Sequence, residues 1–171
     1  VVTTISTDNT ELTVKSKVVL GCDGAHSWVR RYHRMGRVRE TMIGFQIDVT
    51  GYLHKEGKLD MYTGQQIAPG FFAWAIPTGT TTRIGTFSRP DLLGGKSSEE
   101  TLAELLNHKL WKDRFEGCSE VGRYCGPVPA KPIKKPAIGR ILLLGDAAGL
   151  CKPTTGGGLG PGFTHVDNSM A

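Results

Sequence analysis

Ile141-Leu-Leu-Leu-Gly-Asp-Ala-Ala-Gly-Leu-Cys-Lys-Pro-Thr-Thr-Gly-Gly-Gly158 decides how this chain is read. Four consecutive aliphatic residues between Arg140 and Gly145 predict a short strand buried on both faces. Open α/β sheets hold ligands at the carboxyl ends of their strands, and Asp146 falls at such an end. Its carboxylate accepts hydrogen bonds from hydroxyls such as those of a ribityl or ribose chain. Ala147, Ala148 and Gly149 keep the next turn small, so that a large ligand can lie against backbone. Pro153 and the triplet Gly156, Gly157 and Gly158 leave N–H groups to face an anion or an electron-rich ring. A helix starting at this glycine run adds partial positive charge. Gly-Asp alone reads better as a plain tight turn after a core strand; the whole run points to a ligand.

Working outward, the 171 residues suffice for a sizeable core, and the apolar, charged and aromatic fractions are those of an ordinary globular protein. There is no apolar run of the roughly 20 residues that a membrane span needs. Val1-Val-Thr-Thr-Ile-Ser6 reads as a strand rather than a signal peptide. There is no initiator Met, and an apparent helix is still running at Asn168-Ser-Met-Ala171, so the sequence reads as a fragment of a longer protein. Cys22, Cys118, Cys125 and Cys151 match neither a zinc spacing nor CxxC, and read as free thiols of a reducing cytoplasm. The net charge is +5. One basic cluster runs from Arg30 through Arg31, His33, Arg34 and Arg37 to Arg39; Lys131, Lys134, Lys135 and Arg140 form another. Such clusters meet phosphates of a cofactor or lipid headgroup, which leaves peripheral membrane contact open, or are simply solvated. No aromatic residues interleave as on a single-strand nucleic-acid platform, so no nucleic-acid partner is expected.

Val1–Thr7 and Glu11–Lys15, joined across Asp8-Asn9, predict a hairpin. Lys17–Gly21 predicts a strand, followed by the Asp23-Gly24 turn and a helix from Trp28 to Met35, capped by Ser27 and closed by Gly36. From Arg37 to Thr50 the pattern alternates, with Ile43, Phe45, Ile47 and Val49 on one face. Phe71–Ile76 and Thr80–Phe87 predict a meander in which small alanines leave room on one face and large rings wall the other. Ser97 and Glu100 form a capping box ahead of a stripe of Leu102, Leu105, Leu106 and Leu110, a helix that covers the sheet. Ser119–Cys125 predicts a strand, and four prolines between Pro127 and Pro136 an extended connector. GxGxxG, GxxxxGK[ST], GxSxG and HExxH are all missing, and the five histidines show no metal spacing.

Lys17-Val-Val-Leu-Gly-Cys-Asp-Gly-Ala-His-Ser-Trp-Val-Arg30 resembles the DG motif of flavoproteins with the para-hydroxybenzoate hydroxylase type of fold. Gly145-Asp146 after an aliphatic strand resembles their second flavin motif. Within that group the chain is most similar to the geranylgeranyl reductase family. Lys152-Pro-Thr-Thr-Gly-Gly-Gly158 looks like its segment beside the flavin ring, and Phe72-Ala-Trp-Ala-Ile-Pro77 like its Tyr-x-Trp-x-Phe-Pro motif, with Phe72 and Ile76 as departures.

The resemblance implies an α+β chain: part of an FAD-binding Rossmann-like domain (residues 1–36 and 136–171) and a mostly antiparallel substrate domain with a covering helix (37–135). It implies FAD held by Asp23, Gly24, Arg30, Gly145, Asp146, Ala147, Pro153, Gly156, Gly157 and Gly158, with Asp23 and Arg30 supporting the sugar–pyrophosphate region. Phe72, Trp74, Ile76 and Pro77 would line an isoprenoid tunnel. The implied reaction is reduction of carbon–carbon double bonds in geranylgeranyl chains of lipids or pigments, with NAD(P)H or ferredoxin as electron donor. No residue presents itself as a catalytic acid. A flavin monooxygenase, an electron-transfer flavoprotein–quinone type of oxidoreductase, and a non-enzymatic excised binding domain are the alternatives.

Overall fold

The computed structural model describes residues 2–8, 10–53 and 57–170; Asn9 of the expected hairpin turn and residues 54–56 lie outside them. In chain order the elements are β1 (Val2–Thr7), β2 (Thr10–Lys15), β3 (Val19–Gly21), α1 (Trp28–Tyr32), β4 (Thr41–Thr50), β5 (Asp60–Tyr62), β6 (Ala73–Pro77), β7 (Thr82–Ser88), α2 (Ser98–Leu106), β8 (Ser119–Pro129), β9 (Ala137–Ile138), β10 (Ile141–Leu143) and α3 (Leu159–Met170). This is a mixed α+β architecture with a mostly antiparallel sheet, as the alternating patterns lead one to expect. The residues gather into two compact units, one of Val1–Glu40 with Pro129–Ala171, the other of Thr41–Val128.

In the first unit β1 and β2 pair antiparallel, and β10 sits between β3 and β9. β10 is parallel to β3, with Leu142 opposite Leu20, and antiparallel to β9. The strand is shorter and wetter than the four aliphatics suggest. It stops at Leu143, and only Leu143 is fully buried; Ile141 and Leu142 are half-buried. Ile141 and Leu143 point into a cluster with Met35, Ile133, Ala147 and Ala148. On the opposite face Leu20, the partner of Leu142, is largely exposed.

α1 also ends early. Ser27 caps it as expected, its Oγ accepting the Arg30 N–H at 2.9 Å. The helix then closes on His33 rather than Gly36: the Arg34 N–H donates to the Arg31 carbonyl (3.1 Å) and the Met35 N–H to the Arg30 carbonyl (3.0 Å). That pair of bonds reverses the chain around a left-handed residue, here Arg34 at φ +50°.

The second unit is a five-stranded sheet in the order β5-β6-β7-β4-β8. Phe45, Ile47 and Val49 of β4 alternate onto one face and are buried beneath α2 with Ile84, Leu102, Leu105 and Phe115. Ala73 and Ala75 lie on this same face, fully buried. The alanine side is therefore packed core and not the open one: small side chains let the helix layer approach the sheet. The capping box forms completely, with Ser97 and Glu100 satisfying each other's orphan amides. α2 ends at Leu106, however, so Leu110 lies beyond the helix and is 69% exposed. Pro127 and Pro129 belong to β8 rather than to a connector. β8 is an edge strand, where a missing N–H breaks no ladder bond if it faces away from the sheet. Replacing Leu105 by Ala is expected to cost about 3 kcal/mol, in the usual range for a buried leucine. Leu110→Ala should change stability by under ~0.5 kcal/mol, as at other surface positions. Urea unfolding of the two variants checks this; equal losses would place Leu110 back in the core.

Candidate functional site

Because β3 and β10 are parallel neighbours, the turns that follow them open at the same edge of the sheet. The Asp23-Gly24 turn and the turn Gly145–Ala148, far apart in sequence, are thereby brought together. Arg30 locks them. Its Nη1 donates to the Ala147 carbonyl at 2.7 Å and its Nη2 to the Ala25 carbonyl at 2.6 Å, and the residue is only 7% exposed. Burial draws its pKa below the ordinary value, with Asp23 acting in the opposite sense; a guanidinium nevertheless stays charged.

Asp23 is likewise turned to the chain itself. Its Oδ2 accepts the Val29 N–H at 3.0 Å, and the Ser27 hydroxyl donates to the carboxylate as well. Burial works to raise the Asp23 carboxyl, but these bonds outweigh it and hold it below the usual carboxylate range. Gly24 supports the same turn, at φ +74° with its carbonyl accepting the Ser27 N–H. Asp23 and Arg30, expected to support a sugar–pyrophosphate, are thus both engaged with the chain itself, one in a helix cap and the other in a buried carbonyl clamp. Ala147 is fully buried, its side chain in the core and its carbonyl on Arg30.

After β10 the chain makes a 3-10 turn from Gly145 to Ala148, which presents the half-buried Asp146. Gly149 ends it at φ +81°, and a Cβ there would lie 2.5 Å from the Lys131 carbonyl, so only glycine fits. Cys151, which sequence reasoning set aside as an ordinary free thiol, is buried and donates to Asp146 Oδ1 at 3.2 Å. Burial, then the hydrogen bond and charge of Asp146, push its thiol up to about 12. A Cβ on Gly158 would stand 3.2 Å from the same carboxylate oxygen, and α3 begins at the next residue. Carboxylate, thiol, bare backbone and helix N-terminus therefore converge. The glycine amides are less free than expected: Gly156 donates to the Lys152 carbonyl (2.8 Å) and Gly157 to Thr155 Oγ1 (3.4 Å), so the loop is closed on itself. Pro153 lies exposed on it.

In the second unit the sheet face opposite α2 carries the aromatic motif. Trp74 lies flat across Gly85, where a Cβ would meet its ring at 2.4 Å. It meets Phe87 edge-on, with centroids 4.8 Å apart, and Phe72 at 6.0 Å. Gly44, Gln46, Trp74, Phe87 and Tyr124 bound a cavity of about 290 Å³. Ile76 shares the strand face of Trp74 and is 37% exposed; Pro77 is half-buried at the strand end. At that end Arg83 grips Asp48 through two hydrogen bonds of 2.9 and 3.0 Å. Among the described residues no group of His, Cys, Asp and Glu is arranged to hold a metal ion, and no helix is long and apolar enough to cross a membrane.

A parallel strand pair with an Asp-bearing turn at its carboxyl end is the kind of edge at which open α/β sheets hold nucleotide cofactors. The FAD binding domain family matches residues 1–169, and the chain belongs to it; the family's cofactor is FAD. The Asp146 site fits that group. A carboxylate with lone pairs beyond the one given to Cys151 suits ribityl hydroxyls, and Gly158 brings bare backbone up against that same carboxylate. The chain is 30% identical over 154 residues to the digeranylgeranylglycerophospholipid reductase of Methanocaldococcus jannaschii, covering 87% of this chain and 39% of that protein. It is 29% identical over 154 residues to the chloroplastic geranylgeranyl diphosphate reductase of Oryza sativa subsp. japonica, covering 86% and 31%. A geranylgeranyl bacteriochlorophyll reductase-like protein of Thermoplasma acidophilum superposes with a TM-score of 0.77 at 21% identity, over 92% of this chain and 40% of that one. The chain thus spans well under half the length of the relatives it matches.

Arg30→Lys is expected to cost about 2 kcal/mol in urea unfolding, since a point donor cannot serve both carbonyls and one is left buried and unpaired. Iodoacetamide labelling of the native protein should modify the exposed Cys22 and Cys125 first, while Cys151 reacts slowly at pH 8 and faster only as the pH approaches 12. Asp146→Asn should lower that threshold in part, because burial remains.

Proposed function

We propose that this chain is part of an FAD-dependent oxidoreductase that reduces carbon–carbon double bonds of geranylgeranyl chains in lipids or pigments. The observation that carries the reading is the convergence of Asp146, Gly158 and the start of α3 at the end of β10. FAD, when bound, supplies the hydride for such a reduction. The chain's own residues bind and orient. Asp146 accepts from ribityl hydroxyls, and Gly145 and Gly156–Gly158 let the cofactor lie against backbone. Asp23, Gly24 and Arg30 hold the two turns in register, and Pro153 shapes the glycine loop. Trp74 and Phe72, with Ile76 and Pro77 at the strand end, offer an apolar surface to an isoprenoid chain and exclude water from it.

The similarity to relatives named for reduction of geranylgeranyl compounds supports this substrate class over oxygen insertion on the same fold. An electron donor of the NAD(P)H or ferredoxin kind is part of the proposal, as is peripheral contact with a membrane. The test is a flavin titration of this chain with and without an added N-terminal dinucleotide-binding half, followed by assay with an isoprenoid substrate. Tight binding only with the added half is the expected result. Asp146→Ala should then weaken it at least ~10-fold, about 1.4 kcal/mol. A folded chain that takes up no flavin in either form would end the flavin assignment. Normal flavin uptake with no alkene reduction would end the substrate assignment alone.

A further inference from the structure

Arg34 occupies a place that glycine ordinarily fills. The two hydrogen bonds that close α1 wrap around a left-handed residue, and this position strongly favours glycine because a Cβ is strained there. An arginine at φ +50° is kept at a conformational cost, which directs attention to what its side chain does.

Arg34 lines a cavity of about 400 Å³ whose walls are two chain segments from distant parts of the sequence. Arg34, Arg37 and Arg39 come from the stretch after α1; Lys131, Lys134 and Lys135 come from the stretch before β9. The two basic clusters that look separate in sequence thus face one concavity. Met35, Ile133 and Ile138 give it an apolar lining, and no residue that lines it is acidic.

The walls are held by backbone. The Ala130 N–H donates to the Glu40 carbonyl at 2.8 Å, which ties the segments together. The Ile133 N–H donates to the Ala148 carbonyl (3.0 Å) and the Leu143 N–H to the Pro136 carbonyl (2.8 Å), which fix the lysine-bearing wall to the end of β10. Met35 and Ile133 are buried in the core cluster behind it. Lys131 also pairs with Glu40 at 2.7 Å across the two segments. The cations are therefore presented by a preformed frame rather than by a loose tail.

Six cations around one concavity, of which Lys131 is paired with Glu40, leave a net positive charge over an apolar lining and focus a positive potential that an anion relieves. Arginine forks match phosphate oxygens two at a time, and lysines add point charge. A strained arginine in the lining, apolar residues beside it and a size at the lower end of ligand pockets distinguish this from a solvated face.

We propose that this cavity binds a phosphate-bearing ligand by its phosphate or diphosphate group. It uses none of the residues given to the flavin, so it stands independently of that reading. The phosphate can belong to a soluble ester or to the headgroup of a membrane lipid, and the test separates these.

The probes are inorganic pyrophosphate, titrated calorimetrically into the intact protein at low and high salt, and phosphatidylcholine vesicles with and without phosphatidylglycerol. Pyrophosphate should bind at low salt and weaken steeply as salt rises. Arg37→Glu combined with Lys134→Glu should weaken it at least ~10-fold, as expected for losing two phosphate contacts. Arg34→Gly should weaken it several-fold while leaving the thermal midpoint unchanged or higher, since glycine suits the left-handed site. Vesicle binding that needs phosphatidylglycerol and is displaced by pyrophosphate assigns the site to a lipid headgroup; pyrophosphate binding without vesicle binding assigns it to a soluble ester. No pyrophosphate binding at low salt, or equal binding by the native protein and both variants, overturns the proposal whatever the vesicles do.

Discussion

The first unit depends on one buried cation. Arg30 gives its two terminal nitrogens to the carbonyls of Ala25 and Ala147, and so joins the turn after β3 to the turn after β10. Parallel pairing alone would bring the strand ends to one edge; the guanidinium decides how the turns beyond them lie. Its planar fork suits the task, since one rigid group satisfies two acceptors that would otherwise be buried without donors. Ser27 and Asp23 in turn organise the helix that carries Arg30, through the Arg30 and Val29 amides. The position of Asp146 is thus inherited from a charge carried on the helix after the other turn.

The second unit solves a different problem. A sheet that must be core on one face and cavity on the other needs small residues on both, for opposite reasons. Ala73 and Ala75 let the α2 layer approach closely. Gly85 and Gly44 let Trp74 and Phe87 lie down on the strands of the other face, where added Cβ atoms would come within 2.4 and 2.8 Å of their rings. The aromatic surface is flat because the backbone beneath it is bare. The Arg83–Asp48 pair closes one end of that surface with charge.

Much of this was legible from local pattern. The alternation through Phe45, Ile47 and Val49, the Ser97–Glu100 capping box, the Ser27 cap and the helix after Gly158 all form where the residues indicate. What escaped were groups whose partners are remote. Arg30 stands out in the sequence only through the motif around it, and nothing local reveals that its partner is the Ala147 carbonyl. Cys151 is a lone thiol until the turn at Gly145 folds the Asp146 carboxylate back against it. Leu110 continues a leucine spacing that the helix itself does not follow, since α2 stops at Leu106. Periodicity cannot register where a helix ends when the cap is an ordinary Asn107 rather than a glycine.

The sequence by itself determined the features whose physics is short-ranged: caps, turn residues, strand alternation, and the aliphatic strand that ends in Gly-Asp. Tertiary structure alone decided which face of β6 is core, that β3 and β10 run parallel so that their turns share an edge, and that two basic stretches more than 90 residues apart line one cavity. The reason is the range of the forces involved. A cap or an alternating strand is settled within a few residues by hydrogen bonding and side-chain direction. The meeting of Arg34 with Lys135, or of Arg30 with Ala147, depends on chain packing that no local window contains.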